Sequence, residues 1–242
     1  MKILYHKKSK KFWFVKSLDR PFSTHLGTIA SEALKSSGGK VFSNKGETFY
    51  IFNPKFSDVF KQLKRLPQGM LAKDIGIIIA ETGIGKDSIV VDGGTGSGLL
   101  ACALANVCKA VYTYEIREDF IRIAKNNIKF LGLKNIEIKK ANICEKIEER
   151  NVDLVALDLP EPWRALNAAI EALALGGWIV AYSPQITQSL EFVNKALEKE
   201  NLAHIKTLEL IQREWRLEKK ICRPYKMPTV HSGFLTFLRK VF

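Results

Sequence analysis

The chain reads as an α/β protein, a Rossmann-like doubly wound sheet with a terminal antiparallel hairpin, preceded by a small β-rich domain. Three observations predict this. Beyond Leu66-Pro67-Gln68-Gly69, short apolar runs alternate with helical stretches, the pattern of strands joined by crossover helices. The run Ser88 to Asp92 (SIVVD) reads as a buried strand, as expected where a parallel sheet is covered on both faces. A glycine-rich turn separates this strand from its helix.

In order, Phe12-Trp13-Phe14-Val15 and Thr48-Phe49-Tyr50-Ile51-Phe52 read as short strands, the second stopped by Asn53-Pro54. Turn chemistry lies between them at Ser36-Ser37-Gly38-Gly39 and Asn44-Lys45-Gly46. Residues 57–64 read as a helix with Val59, Phe60 and Leu63 on one face. A boundary is expected at the following break, giving domains 1–65 and 66–242. The second domain then runs helix 74–82, strand 88–92, a glycine turn and a helix through Val107, strand 110–114, helix 117–131, strand 135–139 and strand 153–157. Helix 164–173, strand 178–182, helix 187–199 and strands 205–213 and 234–238 complete it.

Charge separates along the chain. Of 242 residues, 38 are Lys or Arg and 25 Asp or Glu, a net charge of +13. Residues 1–90 hold 16 basic and 7 acidic side chains, residues 91–201 hold 13 and 15, and residues 202–242 hold 9 and 3. Basic flanks around a slightly acidic middle predict a polyanionic partner, and nucleic acid fits better than a membrane surface. The runs Lys7-Lys8-Ser9-Lys10-Lys11 and Lys219-Lys220 belong to no long amphipathic helix. No run reaches the ~18 apolar residues of a membrane span, and nothing reads as a signal peptide. Cys102, Cys108, Cys144 and Cys222 form no paired or ligating spacing, so they are expected to be reduced core thiols of a cytoplasmic protein. The four histidines show no metal spacing either.

The sharpest signal is Val90-Val91-Asp92-Gly93-Gly94-Thr95-Gly96-Ser97-Gly98, followed by Leu99 at the head of a helix. Such glycines let a backbone approach a ligand closely. The spacing is G-x-G-x-G rather than the dinucleotide G-x-G-x-x-G, and an acid precedes it. Asp92 would repel a pyrophosphate but suit a ligand carrying an ammonium and a sulfonium. This points to S-adenosylmethionine, with Glu115, 17 residues after Gly98, on the ribose and Asn142, after the third strand, near the adenine.

Asp92-x-Gly94-Thr95-Gly96-Ser97-Gly98 with Glu115 resembles the class I methyltransferase fold over residues 73–242. The segment from Val155 to Trp163 (VALDLPEPW), Tyr182-Ser183-Pro184 with Gln188, Arg65-x-Pro67-Gln68 with Lys73-Asp74, and His231-Ser232-Gly233-Phe234-Leu235 are similar to the tRNA (adenine-N1)-methyltransferases of the T-loop. Gly46-x-x-Phe49 with Asn53-Pro54 is similar to that family's N-terminal β domain, so the resemblance implies an RNA-binding domain over residues 1–65 and a methyltransferase domain over residues 66–242. The resemblance implies methyl transfer to N1 of adenine 58, or 57 and 58, of tRNA, and a homotetramer. It implies cofactor contacts from Gln68, Asp92, Gly94, Thr95, Gly96, Ser97, Gly98, Leu99, Glu115, Asn142 and Asp158. Asp158 and Tyr182 would be catalytic, with Tyr182 beside the target base.

Adenine N1 has an in-plane lone pair and no proton, so its methylation needs positioning more than a base. A carboxylate at the adenine edge would accept from the amino group and favour the positive charge that develops. Asp158, at a strand's C-terminal end, stands where open α/β sheets bind ligands, although an Asp before Pro160 also suits a helix cap. Trp163 could wall the pocket or belong to the core. The family usually has an aromatic or His two residues before Lys73-Asp74, and here that residue is Leu71. Two alternatives stay open: a methyltransferase for exocyclic amines or protein carboxylates, and a non-catalytic RNA-binding subunit on the same scaffold.

Overall fold

The structure, a computed structural model, describes residues 1–67, 69–218, 220–225 and 231–242. Gln68 and Lys219 therefore lie outside the described residues. The chain divides into two compact units, Met1–Gln62 and Leu63–Phe242.

The first unit comprises β1 (Lys2–His6), β2 (Lys11–Val15), β3 (Phe22–Thr24), β4 (Gly27–Ile29), α1 (Ser31–Leu34), β5 (Gly39–Phe42), β6 (Thr48–Phe52) and α2 (Phe56–Phe60). Four strands form one antiparallel sheet in the order β2-β1-β6-β5, and β3 and β4 pair separately. Its core gathers Leu4, Val15, Ile29, Leu34, Val41, Phe49 and Ile51. β1 was not expected from the sequence, where the lysines hid it. The run Lys7-Lys8-Ser9-Lys10 is instead the turn between β1 and β2, with Lys10 at φ 54°. The helix expected over 57–64 is limited to Phe56–Phe60, which buries Val59 and Phe60.

The second unit comprises α3 (Ala72–Thr82), β7 (Ile89–Gly93), α4 (Leu99–Ala105), β8 (Ala110–Tyr114), α5 (Glu118–Leu131), β9 (Ile136–Lys139), β10 (Val152–Leu157), a 3-10 turn (Pro162–Ala165) and α6 (Leu166–Ala172). β11 (Leu173–Ser183), α7 (Ile186–Leu197), β12 (Leu202–Glu209), β13 (Trp215–Glu218), β14 (Ile221–Pro224) and β15 (Phe234–Lys240) follow. Seven strands form one sheet in the order β12-β15-β11-β10-β7-β8-β9. From β11 to β9 neighbours are parallel, while β15 runs antiparallel to both β11 and β12. The chain leaves β7 toward β8 and β9 on one side, then returns to β10 and β11 on the other. That reversal creates a switch point between β7 and β10, where the loops leaving their C-terminal ends stand side by side.

The expected terminal antiparallel pair is present as β12 and β15, with the ribbon β13–β14 carried in their connection. Two expectations need correction. The helix expected over 164–173 is a 3-10 turn followed by α6, because Pro162 opens a tighter turn first. The cysteines are not all core thiols. Cys102 and Cys108 are buried, Cys144 is half-buried and Cys222 is exposed, because β14 belongs to a ribbon whose residues mostly face solvent.

Candidate active site

The loop after β7 is shaped by glycine. Gly94 sits at φ 89°, and a Cβ there would lie 2.2 Å from the Asp158 carbonyl oxygen. No side chain fits, so this close approach of the two switch-point loops depends on glycine. The Asp158 N–H donates to the Gly93 carbonyl at 2.8 Å, extending the β7–β10 pairing into the loops. Gly98, at φ 76°, turns the chain into α4 against Ala124 of α5. Thr95, Ser97 and Leu99 are buried, so the turn through Gly96 presents mainly backbone.

Two carboxylates stand behind this turn. Asp92 is 1% exposed; its Oδ2 accepts the Thr113 hydroxyl at 2.6 Å, and its Oδ1 has no donor among the described residues. The Thr95 and Thr113 hydroxyls lie 2.6 Å apart. Burial, opposed by the Thr113 hydrogen bond and reinforced by the Glu115 charge, pushes the Asp92 pKa up to about 7. Glu115 is also buried, but well satisfied: Oε2 accepts the Gly96 N–H at 3.0 Å, and Oε1 accepts those of Ile116 and Arg117 at 2.9 Å. An ionised carboxylate has roughly four acceptor positions, so one remains for a ligand hydroxyl. A buried acid with an orphaned oxygen beside a second acid suits a cationic ligand and repels an anionic one.

Sequence reasoning missed Asn127. It occupies the buried stripe of α5 with Ile121 and Ala124. Its Nδ2 donates to the Ser97 carbonyl at 2.8 Å and the Lys64 carbonyl at 2.9 Å, while its Oδ1 accepts the Lys64 N–H at 3.0 Å. The amide thereby clamps the glycine turn to the chain that leads toward Gln68. A polar residue within an otherwise apolar helical stripe was the available signal. Asn142 has local partners: Oδ1 accepts the Cys144 N–H at 3.1 Å and Nδ2 donates to Glu145 at 3.0 Å, shaping the turn after β9.

Across the switch point, Asp158 is half-buried and caps no helix; the 3-10 turn starts from Glu161. Burial, then the Asp92 charge, push its pKa up to about 7. Gln188 of α7 donates to the Pro160 carbonyl at 3.1 Å, holding the loop that carries Asp158. Tyr182 is buried near the end of β11, its ring lies where a Cβ on Gly233 would come to 2.5 Å, and its hydroxyl donates to the Ser232 carbonyl. Burial, then Asp74 and Asp158, push its pKa up to about 12.

Ser232 is also held from its other side. Lys73 Nζ donates to Asp74 Oδ1 at 2.7 Å, the Leu210 carbonyl at 2.7 Å and Ser232 Oγ at 2.5 Å. Asp74 is fully buried, and its Oδ2 has no donor among the described residues. His231 bonds Glu209 at 2.6 Å and the Pro184 carbonyl at 2.9 Å. Both partners accept, so they favour the protonated ring and raise its pKa, the Pro184 bond first. The His231-Ser232-Gly233 segment is thus fastened to the end of β11. Trp163 is half-buried against the main core. Leu71 precedes α3 and offers no ring.

A family described as tRNA methyltransferase complex GCD14 subunit matches residues 50–223. The tRNA (adenine(57)-N(1)/adenine(58)-N(1))-methyltransferase of Methanocaldococcus jannaschii is 34% identical, over 98% of this chain and 94% of that protein. The tRNA (adenine(58)-N(1))-methyltransferase of Thermus thermophilus is 32% identical, over 90% of this chain and 88% of that one. A solved SAM-dependent O-methyltransferase of Thermotoga maritima superposes with a TM-score of 0.87 at 28% identity, over 100% of this chain and 92% of its own. With the acid-flanked glycine turn at its switch point and a match over well more than half its length, the chain belongs to the family of tRNA methyltransferase complex GCD14 subunits, on the class I methyltransferase fold.

Proposed function

We propose that this chain is an S-adenosylmethionine-dependent tRNA (adenine-N1)-methyltransferase acting on adenine 58 of the T-loop, with adenine 57 as a second target. The observation that carries the reading is the pairing of Gly94 and Asp158. A glycine that admits no side chain presses the cofactor turn against the loop bearing a half-buried carboxylate free of donors from the described residues. Asp92, Glu115 and the Gly94–Gly98 turn would hold the cofactor, Glu115 with its remaining acceptor position and Asp92 with its orphaned oxygen. When bound there, S-adenosylmethionine supplies an electrophilic methyl group on a sulfonium.

Asp158 would accept from the adenine amino group and oppose the positive charge that the ring gains. A nearby cation pulls a carboxyl pKa down, so the developing charge keeps Asp158 ionised when it is needed. Tyr182, Lys73 and Asp74 would act indirectly, by holding Ser232 beside the site. Homotetrameric assembly also belongs to this proposal. The ribbon β13–β14 exposes Trp215, Leu217 and Ile221, apolar surface that a second copy would cover. Light scattering of the purified chain measures that assembly.

The test of function is methyl transfer from labelled S-adenosylmethionine to an unmodified tRNA transcript, followed by mapping of the product nucleoside. N1-methyladenosine in the T-loop is the expected product. N6-methyladenosine, recovered under conditions that prevent rearrangement, would favour an amino methyltransferase.

A further inference from the structure

The first unit carries an aromatic sheet face that the cofactor chemistry does not use. Leu4, Val15, Val41, Phe49 and Ile51 point to that unit's core, and strand alternation sends their neighbours to the opposite face. On that face, Phe12 stands opposite Tyr5, Tyr5 opposite Tyr50, and Tyr50 opposite Lys40. One row of three rings ending in a lysine therefore crosses all four strands. A second row sets Phe14 and Phe52 on either side of Ile3, and Phe42 follows Lys40 on the same face of β5. The rings of Tyr5 and Phe12 stack with centroids 4.4 Å apart. Phe12 is 64% exposed, Phe42 62% and Phe52 40%. A groove of about 360 Å³ on this unit is lined by Ile3, Phe12, Phe14, Phe52, Asp58 and Lys61, among others.

The charge around the face selects its occupant. Residues 1–62 hold 12 basic and 4 acidic side chains, net +8. Lys7 and Lys10 in the β1–β2 turn and Lys40 on the face itself are exposed. A second copy would bring its own +8 against this one, whereas a polyanion would be attracted. A base-paired stem offers phosphates and hides its ring faces, so it would use the lysines and leave the aromatics idle. Unpaired nucleotides use both, because every base has a face that stacks on an aromatic ring.

We propose that this face binds unpaired nucleotides of the tRNA substrate, stacking bases on Phe12, Phe42 and Phe52 while Lys7, Lys10 and Lys40 meet the phosphates. The identity of the RNA as tRNA rests on the function proposed above; the binding of single strands does not. The test uses the full chain, a fluorescein-labelled unstructured oligoadenylate and a blunt RNA duplex of equal length, titrated at several salt concentrations. Stacking is worth about 5- to 150-fold in affinity per base. The triple variant Phe12→Ser, Phe42→Ser, Phe52→Ser should lose ~10-fold or more for the single strand, keep its salt slope and keep its duplex affinity. With tRNA, KM for methyl transfer should rise while kcat holds. Lys7→Ala, Lys10→Ala, Lys40→Ala should instead weaken both probes and flatten the salt slope.

Circular dichroism melting checks that each variant folds. Single-strand affinity unchanged by the triple Phe variant would overturn the proposal. So would failure of the parent chain to bind the oligoadenylate, or a change of mass in light scattering with RNA affinity unaltered, which would make the face a contact between copies. A parent that binds the single strand and methylates no adenine would contradict the proposed function and leave this inference supported.

Discussion

The two sides of the switch point differ in how their acids are treated. On the β7 side, Glu115 spends its carboxylate on the N–H groups of Gly96, Ile116 and Arg117, and Asn127 ties the same turn to Lys64. On the β10 side, Asp158 receives no side-chain hydrogen bond from the described residues, and its surroundings are fastened around it: Gln188 on Pro160, and Tyr182 and Lys73 on Ser232. The β7 side fastens its turn through Glu115 and leaves one oxygen of the buried Asp92 without a donor among the described residues. The other leaves its acid unsatisfied for a partner that arrives, which is what a group acting mainly on the transition state requires.

The largest effect should come from the unsatisfied acid. Asp158→Ala is expected to lower kcat by ~10²–10³, the scale of a lost electrostatic contact in a transition state, with affinities for cofactor and tRNA nearly unchanged. Steady-state kinetics beside calorimetry check it. A kcat near the parent's with a lowered Tm would reduce Asp158 to a structural residue. Glu115→Ala should behave in the opposite way, weakening S-adenosylmethionine binding by ~1.5–3 kcal/mol. Because Glu115 also holds the glycine turn, the loss should appear in Kd before kcat, and unchanged calorimetric affinity would remove the residue from the cofactor site.

Asn127→Ala comes next. It removes the partner of the buried Ser97 carbonyl and of the part-buried backbone groups of Lys64, at a cost of ~1–3 kcal/mol in stability. KM for S-adenosylmethionine should rise more than KM for tRNA; equal changes in both would mean that the clamp serves the fold alone.

The smallest effect concerns pH and stability. Asp92 and Asp158 bind their protons more tightly when folded, their pKa values raised from 3.8 to about 7. They interact, so the titration belongs to the pair. Unfolding therefore releases protons between those values, and their contribution to stability is full below pH ~4 and lost as pH rises through about 7. Asp92→Asn should flatten the fall of Tm across that window. An unchanged slope would show that the buried acid does not titrate there.

These differences also mark what the sequence made legible. The glycine turn, Asp92, Glu115 and Asp158 were readable because a strand-turn-helix pattern and a strand end are local features. The alternation of strands and helices from 88 to 199 was readable for the same reason. β1 escaped because its five residues carry lysines at and just beyond their ends, and the ribbon β13–β14 escaped because most of its described residues face solvent. The contacts of Lys73 with Ser232, 159 residues apart, and of Asn127 with Lys64, 63 apart, depend on the assembled sheet. For Tyr182 the resemblance implied a place beside the base, and the hydrogen bond of its hydroxyl to Ser232 is a contact that only the assembled sheet reveals.

The most direct measurement is the single-turnover rate of methyl transfer to a T-loop transcript, with saturating S-adenosylmethionine, from pH 6 to 8 for the parent and Asp158→Asn. Saturation removes the contribution of Asp92 to cofactor binding. The parent rate should rise with pH as Asp158 ionises, with a midpoint at or below about 7 because the bound cation lowers the raised pKa of the free site, and the variant should be slow with a flat profile. A variant that follows the parent's profile at a comparable rate would contradict the assignment of Asp158 to the reacting base.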